Sequence, residues 1–215
     1  MNFKDARLLI FDLDYTLIDS SEGIVYCFNQ ARRQMGEPEV EPEKLIQRIG
    51  HPIEETFRLF GSKDPAQGRV IFRRLAADGF MAEKSFLLPG VAETIPELFR
   101  RGFRLAVAST KSRREIIAIL EHLGLARYFE AFCGSDEVAR AKPAPDSLFR
   151  VMEATGVKPE QTLYFGDHVV DIQAGRAAGV RVIALAGGPC SHEDRVAAKP
   201  DAIVNDLRGV LALLA

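Results

Sequence analysis

Tryptophan is absent, and the chain holds only three cysteines, four methionines, four tyrosines and four histidines in 215 residues. Cys27, Cys133 and Cys190 are odd in number, far apart and outside any metal-ligand spacing. That excludes a disulfide framework or a thiolate metal site and points to free thiols in a reducing compartment. No apolar run approaches the roughly 18 residues of a membrane span. The opening residues MNFKDARLLIFD carry no basic, apolar and small-residue plan of a secretory signal. The expectation is therefore a cytoplasmic protein with no membrane partner. Neither sign of charge is in excess, since 28 basic against 30 acidic side chains leave a net charge of -2. A broad basic footprint for nucleic acid is excluded, and any anionic ligand must be met locally. Internal repeats and low-complexity segments are also missing. What remains is 47% apolar and 27% charged, the balance of a globular protein that needs no crosslink to fold. A chain of this mass buries roughly 70% of its unfolded surface and exposes about 9,900 Å².

Short apolar runs end in polar or glycine-bearing turns at Leu8 to Phe11, Leu105 to Ala108, Ala131 to Cys133, Leu163 to Phe165, Val182 to Leu185 and Ala202 to Val204. Such runs predict strands buried on both faces. Helical patterns lie between most of them, at Val91 to Arg101, Arg113 to His122, Asp146 to Thr155 and Val170 to Ala178, each followed by a glycine that can close the helix. The alternation predicts an α/β fold, a doubly wound, mostly parallel, Rossmann-like sheet with ligands at the carboxyl ends of its strands.

From about Asp19 to Leu88 the rhythm changes to helical periodicity with no convincing strand. Ile24, Phe28, Ala31 and Met35 mark one helical face, and shorter helices are expected around Glu43 to Ile49, Ile53 to Phe60 and Gln67 to Asp78. The expected organisation is a core of residues 1–18 and 89–215 with a small inserted α-helical cap domain, 19–88. Its two borders lie close together if both adjoin the sheet, as hinges of a lid do.

The unusual polar residues stand at strand ends. Asp12 and Asp14 follow the first strand and project to one side if extended geometry persists. Asp-x-Asp alone is also an ordinary polar turn. Asp167 and Asp171 follow the fourth strand and open a helix, where Asp171 also suits the helix dipole. Carboxylates converging from strand ends form a hard, oxygen-rich site of the type that binds Mg²⁺. Ser109 and Thr110 stand at a strand-to-helix junction whose hydroxyls and amides suit phosphate oxygens, although a Ser or Thr cap is expected before any helix. Lys142, in Arg140-Ala141-Lys142-Pro143, supplies a cation; most lone lysines are solvated. Four aspartates against one Mg²⁺ and one lysine repel a phosphate dianion unless both cations are present, because unit charges 4 Å apart interact by about 4 kcal/mol at an effective dielectric near 20.

Together these segments resemble the haloacid dehalogenase-like superfamily, with Asp12-Leu13-Asp14-Tyr15-Thr16, Ser109, Lys142 and Gly166-Asp167-His168-Val169-Val170-Asp171 as its four motifs. Asp19-Ser20 and Ile49-Gly50-His51-Pro52-Ile53 are similar to its phosphoglycolate phosphatase-like branch. The family usually has Gly at Tyr15 and often Thr-Asn at Ser109-Thr110. The resemblance implies a phosphoric monoester hydrolase in which Asp12 is the nucleophile and Asp14 the acid and base. Mg²⁺ would be held by Asp12, the backbone carbonyl of Asp14, Asp167 and Asp171, and phosphate oxygens by Ser109, Thr110 and Lys142. An acidic residue at Asp14 argues against dehalogenation, whose halide leaving group needs no acid. The expected partner is a small phosphorylated metabolite, 2-phosphoglycolate first, with pyrophosphate, sugar phosphates and nucleotides behind it. A mutase related to β-phosphoglucomutase and a non-catalytic phosphate-binding or signalling module stay open. Arg48, His51 and Lys84 are candidates to meet a second anionic group, against an ordinary surface role. His168 is not assigned a role, His122 and His192 are expected to be structural or exposed, and Gly187-Gly188-Pro189 is read as a rim loop.

Overall fold

Six parallel strands form the central sheet of the computed structural model, which describes residues 3, 5–77 and 79–214. In chain order the strands and helices are β1 (Leu8–Phe11), β2 (Ile18–Asp19), α1 (Ser21–Gln34), α2 (Pro42–Ile46), α3 (Ile53–Leu59), α4 (Pro65–Ala77), α5 (Phe80–Glu83), β3 (Phe86–Leu87), α6 (Val91–Arg100) and β4 (Arg104–Ala108). Then come α7 (Arg113–His122), β5 (Ala131–Cys133), α8 (Asp146–Thr155), β6 (Thr162–Gly166), α9 (Val169–Ala177), β7 (Arg181–Leu185), α10 (His192–Ala197), β8 (Ala202–Val204) and α11 (Arg208–Leu213). The sheet order is β5-β4-β1-β6-β7-β8. The chain therefore builds outward on one side of β1 and then on the other. A crevice opens at the carboxyl ends where that direction reverses, between β1 and its two neighbours.

Alternation along β1 assigns the two faces. Leu9 and Phe11 pack with Leu105, Val107, Ile95 and Ile116 on the side of α6 and α7. Leu8 and Ile10 pack with Leu148, Val151 and Ala174 on the side of α8 and α9. Every β1 residue is fully buried, which is why the strand reads as a continuous apolar run. The accessible surface of 9736 Å² matches the scaling expectation.

All six sheet strands expected from the sequence are present, within one residue at each end. Helices α1 to α5 occupy the expected insert, with a core of Phe28 stacked on Phe57 at 4.1 Å between ring centroids. Gly68 of α4 makes that packing possible, because a Cβ there would lie 2.7 Å from the Phe57 ring. The last expected insert helix begins earlier, at Pro65, and is described to Ala77, with residue 78 outside the described residues. The absence of strands from the insert is corrected by a two-stranded antiparallel ribbon, Ile18 against Leu87 and Asp19 against Phe86. Two residues per strand are too short to show a period of two, so only the pairing reveals them. The ribbon brings the two ends of the insert together.

Phe165 is fully buried and stacks on Phe11 at 4.8 Å. Phe165→Ala is expected to lower stability by about 3–5 kcal/mol in urea unfolding; a loss under 1 kcal/mol would contradict this packing.

Candidate active site

Asp12 directly follows β1, Ser109 follows β4 and Asp167 follows β6, so the three central strands deliver their first polar residues to one crevice. Lys142 arrives from the loop before α8. It is 3% exposed; its ammonium donates to Asp12 Oδ1 at 2.7 Å, Asp171 Oδ1 at 2.5 Å and Tyr164 Oη at 3.0 Å. One carboxylate oxygen from each of Asp12, Asp167 and Asp171 lies within 4.8 Å of the others. Asp171 also accepts the His168 amide at 3.1 Å, and His168 Nδ1 accepts the Val170 amide at 3.3 Å. These bonds cap the start of α9. Asp171 thus caps α9 while one of its carboxylate oxygens also lies in the three-carboxylate cluster. Gly166 is required beneath it, since a Cβ there would meet Asp171 Cβ at 2.4 Å.

Desolvation raises the Asp12 carboxyl to about 7, with Lys142 opposing and Asp171 and Asp14 reinforcing. Burial also pushes Asp167 well above the carboxylate range, helped by the charges of Asp171 and Asp12. Burial disfavours charge on Lys142, but Asp12 and Asp171 outweigh it and hold the ammonium well above its usual range. Three buried carboxylates therefore share one cation. A divalent cation fits this donor set because it is hard, all oxygen, and short of positive charge.

Asp14 departs from its expected place. The chain bends at Leu13, whose carbonyl accepts the amides of Thr16, Leu17 and Ile18, and Tyr15 adopts φ 53°. Glycine takes such a conformation without a steric penalty. Extended geometry does not persist, so the two carboxylates find different partners. Asp14 Oδ1 accepts the Ser20 hydroxyl at the insert's border, and Oδ2 lies 3.1 Å from Lys111 Nζ. The Asp14 side chain is outside the three-carboxylate cluster.

Asp14 and Thr110 line a cavity of ≈ 50 Å³ between the core and the inserted helices. Ile24, Phe28, Leu45, Ile49 and Phe72 form its apolar wall, and Arg48, Arg73 and Lys111 outnumber Asp14 and Glu115 in charge. Arg48 and His51 thus face the cavity, and Arg48 Nε is buried without a hydrogen-bond partner. Lys84 instead pairs with Glu22 at 2.7 Å on the insert. His122 and His192 are exposed. Ser109 is buried beside the β1 end, its Oγ accepting the Lys111 amide at 3.3 Å.

Sequence reasoning missed Lys111, Tyr164 and Arg195. Lys111 directly follows Ser109-Thr110, and its place at a strand end was the available signal. Tyr164 lies inside a strand run and reads as core, yet its hydroxyl donates to Asp171 Oδ1 at 3.0 Å. Arg195 is 2% exposed. It donates to the carbonyls of Asp167 at 3.0 Å, Gly187 at 3.2 Å and Cys190. This ties the Gly187-Gly188-Pro189 turn to the Asp167 turn, so closely that a Cβ on Gly188 would lie 2.1 Å from Asp167 Oδ2.

The His51 ring meets His168 edge to face at 4.8 Å. Burial, then the charges of Arg48 and His168, lower His51 from 6.5 to about 4. The unfolded chain therefore takes up this proton first. The stability contributed by neutral His51 is complete above pH 6.5 and is lost progressively toward pH 4. Thermal melts should show wild type losing stability relative to His51→Asn over that window; parallel curves would refute the assignment.

The family described as haloacid dehalogenase-like hydrolase matches residues 9–185. The phosphoglycolate phosphatase of Shigella flexneri is 32% identical over 98% of this chain and 94% of its own length. Phosphoglycolate phosphatase 1 of Pseudomonas aeruginosa is 31% identical over 95% of this chain and 78% of its own. A haloacid dehalogenase-like hydrolase from Bacteroides fragilis superposes with a TM-score of 0.89 at 29% identity, covering 95% of this chain and 99% of that one. CbbY from Rhodobacter sphaeroides, solved with phosphate, gives 0.83 at 26%, covering 97% and 99%. Motif order, sheet topology and these likenesses agree: the chain belongs to the haloacid dehalogenase-like hydrolases, and it is an enzyme of their phosphatase class.

Proposed function

We propose that this protein is a Mg²⁺-dependent phosphatase of a small phosphate monoester carrying a second anionic group, 2-phosphoglycolate foremost. The observation that carries the reading is Lys142 seated between Asp12 and Asp171 with Asp167 alongside. Asp12, Asp167, Asp171 and the backbone carbonyl of Asp14 would hold the metal, which supplies positive charge to the phosphoryl oxygens when bound.

The Asp12 carboxylate attacks phosphorus, and the bond to the leaving oxygen breaks as the aspartyl-phosphate forms. Asp14, facing the cavity rather than the carboxylate cluster, gives its proton to the departing alkoxide. It then takes a proton from the water that attacks phosphorus and frees Asp12. Ser109, the Thr110 amide and Lys142 hold the oxygens on which charge is spread, the dominant contribution in phosphoryl transfer.

The helical insert, residues 19–88, acts as the cap that closes over the leaving group. Basic side chains outnumber acidic ones in the lining of the cavity it encloses, which favours a substrate carrying a second anionic group. Arg48 and Lys111 stand in its lining to meet the carboxylate.

With Mg²⁺, kcat/KM for phosphate release from 2-phosphoglycolate is expected to exceed that for pyrophosphate, sugar phosphates and nucleotides by about tenfold or more. An isomeric product without free phosphate would establish a mutase instead. Asp12→Asn should lose about 10³-fold or more in kcat, and EDTA should abolish turnover until Mg²⁺ is restored. Undiminished rates in chelated protein would exclude the metal.

A further inference from the structure

Arg73 lies on α4, in the insert, and lines the cavity. Its guanidinium donates not to a carboxylate but to the Ser135 hydroxyl, at 2.9 Å, in the core. Ser135 opens the short helical turn after β5. Its hydroxyl donates to the Thr110 carbonyl at 2.6 Å, and its amide donates to the Lys111 carbonyl at 2.9 Å. Arginine has no acceptor, so with Arg73 in place the single Ser135 hydroxyl proton has to face Thr110. The Thr110 carbonyl and the Lys111 N–H share one rigid peptide plane. That N–H donates to Ser109 Oγ at 3.3 Å. An unbroken chain of polar contacts thus runs from the insert to Ser109.

The core half of this chain is fixed without the insert. A Cβ on Gly134 would lie 2.1 Å from the Arg113 amide nitrogen, so the two loops are in close backbone contact. Asp136 Oδ1 also accepts that amide at 2.8 Å. Ser135 is therefore held against the Ser109–Ser112 turn from below, and Arg73 is the part that arrives with the insert.

We propose that Arg73 is a positioning residue that reports closure of the insert to the phosphate turn: seated on Ser135, it polarises the hydroxyl onto Thr110 and holds Ser109 and the neighbouring amide in place. Hydrogen bonds in series strengthen one another, so loss of the first donor loosens the last acceptor. The proposal rests on the reading of Ser109 and Thr110 as phosphate-holding groups. Its rival is that Arg73 simply binds the substrate's second anionic group from the cavity wall.

Arg73→Ala, Ser135→Ala and the double variant separate the two in the full-length chain. The first readout is hydrogen exchange of the amides of residues 109–112 without substrate, and the second is kcat and KM for the ester the wild type turns over best. Each single variant should speed exchange at the Lys111 amide by about tenfold and lower kcat by about tenfold, with KM within about twofold. The double variant should be no worse than either single, and Ser135→Thr should restore both readouts. A raised KM in Arg73→Ala with an unaffected Ser135→Ala, effects that multiply in the double variant, or unchanged exchange would overturn the proposal. Exchange needs no catalysis. A wild type that released no phosphate from any ester would count against the phosphatase reading, while exchange accelerated as stated would still support the relay.

Discussion

The Lys142 ammonium, lodged between Asp12 and Asp171, is the interaction on which the crevice depends. Taking carboxylates out of water costs several kcal/mol each unless they are paired, and here three converge at the ends of β1 and β6. One lysine bridges two of them, Tyr164 donates to the same Asp171 oxygen, and the start of α9 donates the His168 amide. Even so burial, and then the neighbouring carboxylates, raise Asp12 and Asp167 above the usual carboxylate range. A protein that needed only stability would fill this space with apolar side chains. Three carboxylate oxygens within 4.8 Å of one another are instead a donor set that a divalent cation fits.

The bend at Leu13 divides labour between two aspartates only two residues apart. Had the strand continued, Asp14 would have joined the cluster and added to its repulsion. Turned away, it meets Ser20 at the border of the insert and Lys111 on the core, and it looks into the cavity the insert helps to enclose. The nucleophile and the proton carrier of the proposed reaction therefore have separate partners, Asp12 against Lys142 and Asp14 against Ser20 and Lys111. The left-handed backbone at Tyr15 is the local cost of that turn.

Much of the core was legible because a strand buried on both faces is mostly apolar, as Leu8–Phe11 is along its whole length. The polar residues that end such strands stand out by contrast, and the fold brings Asp12, Asp167, Asp171 and Lys142 together. Where local pattern carried no information, the reading failed. The β2 and β3 ribbon is set by pairing across 68 residues, and α5, α10 and α11 span only four to six residues. Tyr164, Arg195 and Arg73 look like core, surface and surface in one dimension; their roles come from partners far along the chain. Lys111 was adjacent to a recognised motif, but its direction became visible only with Asp14 opposite it.

The most direct test of the account is to mix enzyme, Mg²⁺ and substrate, quench in acid within the first turnover, and map the protein by peptide mass spectrometry. A phosphoryl group should be found on the peptide carrying Asp12 and be lost in Asp12→Asn. Turnover accompanied by no adduct under any quench time, or by one on Ser109, would contradict the claim that the crevice exists to present Asp12 to phosphorus.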